Sequence, residues 1–129
     1  KKIKKIIAVE PSKFGIEIAK KIHSKSNIVY LNDFIDSALN KISPDVYIVT
    51  TFAVFQHLPK RYTRKVLKKL SKILKSGSYL FFNEPIATSY LDSFRMHYPR
   101  KEKFWKKNLK GFSVEFNKQN IDIIKAVKL

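Results

Sequence analysis

A chain of 129 residues, 44% of them hydrophobic, is long enough for one compact domain with one core and short enough to be only marginally stable. Its longest nearly apolar run, residues 46–55, is far below the roughly 20 residues of a membrane-spanning helix, and the apolar part of the basic head "KKIKKIIAVEPS" stops at Glu10, too soon for a secretory signal. The absence of cysteine excludes disulfides, thiolate nucleophiles and cysteine-based zinc sites, and leaves the cytoplasm as the expected compartment. The net charge of +17 fits a polyanionic partner. Against that, of the 27 basic residues only Arg61, Arg64, Arg95 and Arg100 are arginine, the side chain suited to bidentate recognition of phosphates and bases. Lysine is spread along the chain, so a solvated lysine-rich surface is preferred to a nucleic-acid face. The chain starts at Lys1 without an initiating methionine, straight into a strand-like pattern, as a fragment would.

In chain order, residues 3–9 read as a buried strand, a short β-branched run closed by Glu10, Pro11 and Ser12. Ser12 suits a helix N-cap, and Phe14, Ile18 and Ile22 then fall on one helical face that fades near Ser24. "NIVYL" is a second strand, after which Asp33 can cap a short helix sharing Ile35, Leu39 and Ile42 on one side. "DVYIVTTF", residues 45–52, is a third strand, apolar enough to be covered on both faces. Residues 60–75 give the clearest helix: Tyr62, Val66, Leu67, Leu70, Ile73 and Leu74 form its apolar side, and Gly77 stands where a left-handed cap is expected. "YLFFNEP" is a fourth strand, closed by Pro85. The pattern from 87 to 109 is mixed, with a helix expected around 89–97 and an aromatic, basic stretch after it. "GFSVEFN" and "IDIIKAVKL" close the chain as antiparallel neighbours joined by a polar link at 118–120.

Strands alternating with helices predict an α/β fold: a Rossmann-like, mostly parallel sheet with helices on both faces and a C-terminal antiparallel hairpin. Ligand crevices in such sheets lie at the carboxyl ends of the strands. That directs attention to Glu10, Asn32, Asp33, Thr50, Thr51 and Glu84.

The order and spacing of these segments resemble the class I S-adenosylmethionine-dependent methyltransferases. "VEPS" is similar to the family's acidic motif after its second strand, and "NDF" to the acidic residue after its third. "PDVYIVTTFAVFQHLP" resembles its fourth strand and the "HL" turn that follows, and "VLKKLSKILKSGSYLFF" its next helix, turn and fifth strand, with Ser76 and Ser78 replacing a proline and a glycine. The resemblance covers residues 3–85, and it is architectural only over 111–129. It implies S-adenosylmethionine as cofactor, with Glu10, Pro11, Asn32, Asp33, Phe34, Thr50 and Thr51 around it. Glu10 would accept hydrogen bonds from the ribose hydroxyls, Asp33 one from the adenine amino group, and the Phe34 N–H would donate to the ring. A carboxylate at the carboxyl end of a strand can accept hydrogen bonds from two neighbouring ribose hydroxyls, and Glu10 is so placed; its position in the ordered series of motifs is what singles it out. A helix cap at Asp33, and an exposed acid among lysines at Glu10, are the plain alternatives.

His57 in "FQHLP" is a candidate general base, although a lone histidine after a strand is more often a turn or packing residue. Tyr90, Arg95, Tyr98, Arg100 and Trp105 lie where many members of the family place substrate-binding structure; an aromatic stripe that packs on the sheet is the other reading. "TTFAVF" lacks the Asn/Asp-Pro-Pro-Tyr/Phe pattern of amino methyltransferases that act on nucleobases or glutamine, and without cysteine the covalent cytosine-C5 route is closed. A small-molecule methyl acceptor is thus the expected partner. No metal is implied.

The family's first strand and its glycine-rich loop have no counterpart, since Gly15, Gly77 and Gly111 lie in separate segments. Residues 1–129 therefore read as a single incomplete methyltransferase-like domain lacking the usual first strand, which would leave two long ladders unpaired. Cofactor binding by these residues alone is expected to be weak. Three other readings compete: a nicotinamide-dependent oxidoreductase, which lacks G-x-G-x-x-G; a basic nucleic-acid-binding module; and a degenerate homologue that has lost chemistry.

Overall fold

The structure, a computed structural model, describes residues 3–86, 100–117 and 123–129. The chain divides into two compact units, Lys1–Ile42 and Ser43–Leu129. Among the described residues no helix is long and apolar enough to cross a membrane.

In the first unit, β1 (Ile6–Val9) and β2 (Ile28–Leu31) form a parallel pair, with Ile6 opposite Ile28 and Val9 opposite Leu31. The crossover is helix α1 (Lys13–Ile22). Its N-cap is Ser12, as the sequence predicts: the backbone there is extended and Oγ accepts the Gly15 N–H at 3.1 Å. The Tyr30 hydroxyl donates to the carbonyls of Ala19 and His23, which ties the end of α1 to β2. A single turn, α2 (Ile35–Ala38), buries Ala38 together with Leu39.

The expected apolar stripe of α1 is not buried. Phe14 is 71% exposed and Ile22 67%, whereas Ile16 is the buried side chain of this helix. At about 100° per residue Ile16 lies about 200° around the helix from Phe14, so α1 packs with the side carrying Ile16 and the half-buried Ala19 and turns the Phe14, Ile18 and Ile22 stripe outward.

The second unit holds β3 (Ile48–Phe52), α3 (Lys60–Ile73), β4 (Tyr79–Asn83), α4 (Glu102–Asn108), β5 (Phe112–Asn117) and β6 (Ile123–Lys128). Its sheet runs β3-β4-β6-β5. β3 and β4 are parallel, and β6 is antiparallel to both β4 and β5. β6 is therefore the one reversed strand of this sheet, as the terminal hairpin predicts. Thr51, Leu80, Phe82, Ile124 and Ala126 share the buried face, under Val66, Leu67 and Leu70 of α3 and Trp105 of α4. The Trp105 ring lies 5.7 Å from those of Phe55 and Phe82.

Three expectations change here. β3 alternates between half-buried or buried and exposed positions, and Phe52 is 75% exposed, so this strand is not covered on both faces. Tyr79 and Ile48 are exposed on the same side as Phe52. Gly77 has φ +82° but does not cap α3: the helix ends at Ile73, Leu74 turns extended to bury its side chain, and Gly77 sits in the next turn, where Ser78 N–H donates to the Lys75 carbonyl. Helix α4 lies in a stretch with no clear sequence pattern, while the helix expected at 89–97 and the link at 118–120 fall outside the described residues.

Among the described residues β1 pairs only with β2, and β3 only with β4, so each unit ends on an edge strand.

Candidate functional site

The first unit brings its acidic candidates to one end of its sheet. Parallel strands in register end together, so Glu10 follows β1 where Asn32 and Asp33 follow β2. The Glu10 N–H extends the ladder by donating to the Leu31 carbonyl at 3.1 Å. Asn32 clasps the two ends: its Nδ2 donates to the carbonyls of Glu10 at 3.0 Å and Pro11 at 2.9 Å. The Glu10 side chain is exposed, with Oε1 accepting the Ser12 N–H at 2.9 Å. A Cβ on residue 15 would meet Glu10 Cγ at 3.2 Å, so the glycine lets the carboxylate lie against the first turn of α1.

Asp33 is more occupied. Oδ1 accepts the Phe34 N–H at 2.8 Å, and Oδ2 pairs with Lys41 Nζ at 2.6 Å. The hydrogen bond from Lys41 is the main cause that holds this carboxyl below its ordinary value of 3.8, with Ser37 and the Phe34 N–H adding to it. Phe34, not Asp33, occupies the N-cap position of α2. The Phe34 N–H, expected to be offered to a ligand ring, is used by the neighbouring carboxylate.

In the second unit Thr50 is exposed and Thr51 buried. The Thr51 hydroxyl donates to Glu84 Oε1 at 3.2 Å, so it is part of the interior rather than of a ligand surface. Glu84 is the residue whose role the sequence does not disclose. It is 1% exposed, and its carboxylate also accepts the N–H groups of Val54, Phe55 and Gln56, each at 2.9 Å. Three successive backbone donors wrapped round one carboxylate compensate its burial and fix the turn 53–57. Ala53 enters that turn at φ +51°, with its N–H donating to the Asn83 carbonyl. His57 ends the short 3-10 turn Phe55–His57, exposed, with Nε2 3.3 Å from Gln56 Nε2. A strand-end carboxylate in "FFNEP", after an apolar run, was the available signal for Glu84; its partners are backbone groups and carry none.

Of the substrate candidates, Tyr90, Arg95 and Tyr98 lie outside the described residues. Trp105 is 1% exposed and packs edge-on to Phe55, which places it in the core rather than on a substrate surface. Arg100 is also buried, donating to the Leu58 carbonyl and, at 3.4 Å, to Thr63 Oγ1.

The alternation of strands and helices with a reversed last strand makes this a class I methyltransferase-like α/β fold. Magnesium protoporphyrin IX methyltransferase from Synechocystis PCC 6803 with bound S-adenosylmethionine matches 97% of the chain with a TM-score of 0.68 at 14% identity. Human N-acetylserotonin methyltransferase in complex with S-adenosylmethionine matches 96% with a TM-score of 0.67 at 18% identity. A possible exported protein from Bordetella parapertussis matches 96% with a TM-score of 0.77 at 12% identity. The chain spans 60%, 40% and 53% of these three proteins, respectively. No family model and no curated protein matches it in sequence.

Proposed function

We propose that the chain is part of an S-adenosylmethionine-dependent methyltransferase that acts on a small-molecule acceptor. The observation that carries this reading is the pair of acidic residues at the joined carboxyl ends of β1 and β2, in a fold shared with methyltransferases that bind S-adenosylmethionine. The residues fit the cofactor unevenly. Glu10 is exposed, and a carboxylate has more acceptor sites than the one used by Ser12, so it can take the two ribose hydroxyls. Asn32 holds that carboxylate's backbone in place by donating to the carbonyls of Glu10 and Pro11. Asp33 can accept from the adenine amino group through its outer lone pairs, but a contact from the Phe34 N–H requires Asp33 to release it first.

The cofactor's sulfonium supplies a methyl group already activated for displacement, so the protein's task is to hold an acceptor in line with it. Thr50, in the middle of β3, is assigned to the cofactor on the family resemblance alone, and the buried Thr51 acts on the turn after the strand through Glu84. On the same resemblance His57, which ends that turn, is the candidate to take the acceptor's proton where the acceptor carries one. The methionine end of the cofactor needs a glycine-rich loop, which these 129 residues do not contain.

Isothermal titration of S-adenosylhomocysteine into the 129-residue chain, and into a longer polypeptide that includes a glycine-rich segment, tests the reading. Micromolar binding is expected for the longer form only, and Glu10→Ala should weaken it by about tenfold or more, the effect of losing charge-assisted hydrogen bonds. Failure of the longer form to bind, or an unchanged affinity in Glu10→Ala, overturns the proposal.

A further inference from the structure

Folding changes the distribution of lysine and arginine. Residues 60–75 and 101–110 contain a single acid, Glu102, whose carboxylate lies 3.7 Å from Lys106. Two contacts lay these segments side by side. At one end the Phe104 ring is 5.9 Å from both Lys60 Nζ and Arg64 Cζ; at the other, Ser71 Oγ donates to the Lys110 carbonyl at 3.2 Å. Residues 104–110 thus run along α3 from its first turn to its fourth, which sets the exposed cations of α4 beside those of α3.

The arrangement on α3 is regular. Arg61, Lys65, Lys68 and Lys72 are exposed and recur every three or four residues, a stripe of charges about 5–6 Å apart along the helix. The opposite side, Val66, Leu67 and Leu70, is fully buried, so α3 has no apolar face left to insert into a bilayer. A membrane surface is therefore disfavoured relative to a rigid polyanion. Lysine predominates over arginine, which suits point contacts to phosphates without reading of bases. Trp105 is buried, Tyr62 half-buried, and Phe104 half-buried beneath three cations, Lys60, Arg64 and Arg100, so among the described residues α3 and α4 present no fully exposed aromatic ring for unstacked bases. The target is then a duplex rather than a single strand.

We infer that the surface formed by α3 and α4 binds the phosphate backbone of duplex nucleic acid without sequence readout. This goes beyond the methyltransferase reading and does not rest on it.

The test is fluorescence anisotropy of a short labelled DNA duplex of arbitrary sequence, titrated with the full chain between about 50 and 200 mM salt. The triple variant Arg61→Glu, Lys68→Glu, Lys72→Glu changes only exposed helix positions. It is compared with Lys5→Glu, Lys13→Glu, Lys25→Glu, which makes the same change of net charge on the first unit. The α3 variant should bind about tenfold or more weakly, with a salt slope shallower by about 2.7, because three phosphate contacts are lost at about 0.9 each. The control should keep the parent's slope. The glutamine counterparts at 61, 68 and 72 preserve helix propensity and must show the same loss, which separates the effect from misfolding. Equal losses in both triple variants, absence of binding by the parent, or binding to phosphatidylserine vesicles but not to the duplex would each overturn the inference.

Discussion

Two glutamates occupy the same place in the sequence pattern, each at the end of a strand and each followed by proline: "VEPS" in the first unit and "NEPI" in the second. Glu10 is exposed, with one oxygen engaged by a single N–H of the next turn. Glu84 is enclosed, its oxygens taken up by three backbone N–H groups and a threonine hydroxyl. The surroundings of the two acids differ in the same sense. The second unit encloses Leu67, Leu70, Phe82, Trp105 and Ile124 under two helices, whereas the first encloses Ile16, Ala38 and Leu39. A deep core can absorb a carboxylate and use it as a brace; a shallow one leaves it to the solvent, where a ligand can reach it.

The largest effect should come from the core itself. Trp105→Ala removes the ring that packs on the Phe55 and Phe82 pair, and a loss of about 3–5 kcal/mol in urea denaturation is expected. Ile16→Ala in the thin first unit should cost about 2 kcal/mol, at the low end for such truncations. Equal losses at the two positions would break the contrast in depth. Next comes the brace. Glu84→Gln turns an amide N–H₂ toward a backbone donor and should destabilise by about 2–3 kcal/mol, while Glu10→Gln, being exposed, should stay within about 0.5 kcal/mol. A neutral Glu84→Gln would mean that the turn 53–57 is held by something other than this carboxylate.

The smallest effect is electrostatic. The folded state lowers the Asp33 carboxyl, chiefly through the Lys41 hydrogen bond, so its stabilising contribution is complete above the unfolded value of 3.8 and is lost as pH falls through the lower folded value. In the second unit Lys75 lowers Asp45 in the same way, and Asp45 raises Lys75 above 10.5, a contribution present below that value and lost as pH rises through the raised one. Both pairs are on the surface, so salt should weaken them. Carboxyl titration by NMR should give Asp33 a midpoint below 3.8, and Lys41→Met should raise it. An unmoved midpoint in that variant would assign the shift to the Ser37 and Phe34 contacts instead.

The parts legible in the sequence were those written in local pattern. The β-branched runs became β1 and β2, the 3.6-residue period of α3 matched the side it buries, and the acidic residues after β1 and β2 were found at the same end of their sheet. What the pattern concealed depends on distant partners. Glu84 works through groups 28–33 residues away, most of them backbone amides that have no residue signature. Helix α4 has seven residues, too few to show a period, and of the two readings of its Trp105 the packing one holds, against Phe55 and Phe82 from other elements. The stripe on α1 had a helical period, but period does not say which side meets the sheet, and the structure buries Ile16 instead of Phe14, Ile18 and Ile22. The lysines looked evenly scattered in one dimension; the packing of α4 along α3 gathers them.

The uncovered side of β3 and β4, with Ile48, Phe52 and Tyr79 open to water beside an edge strand, gives the chain a sticky flank. At +17, mutual repulsion between molecules opposes contact through it, so the lysine excess acts as a colloidal stabiliser. That protection is shielded once the Debye length contracts to about 3 Å near 1 M salt. A concentrated stock is thus expected to cloud on addition of salt and to clear again on dilution, well before the fold itself gives way.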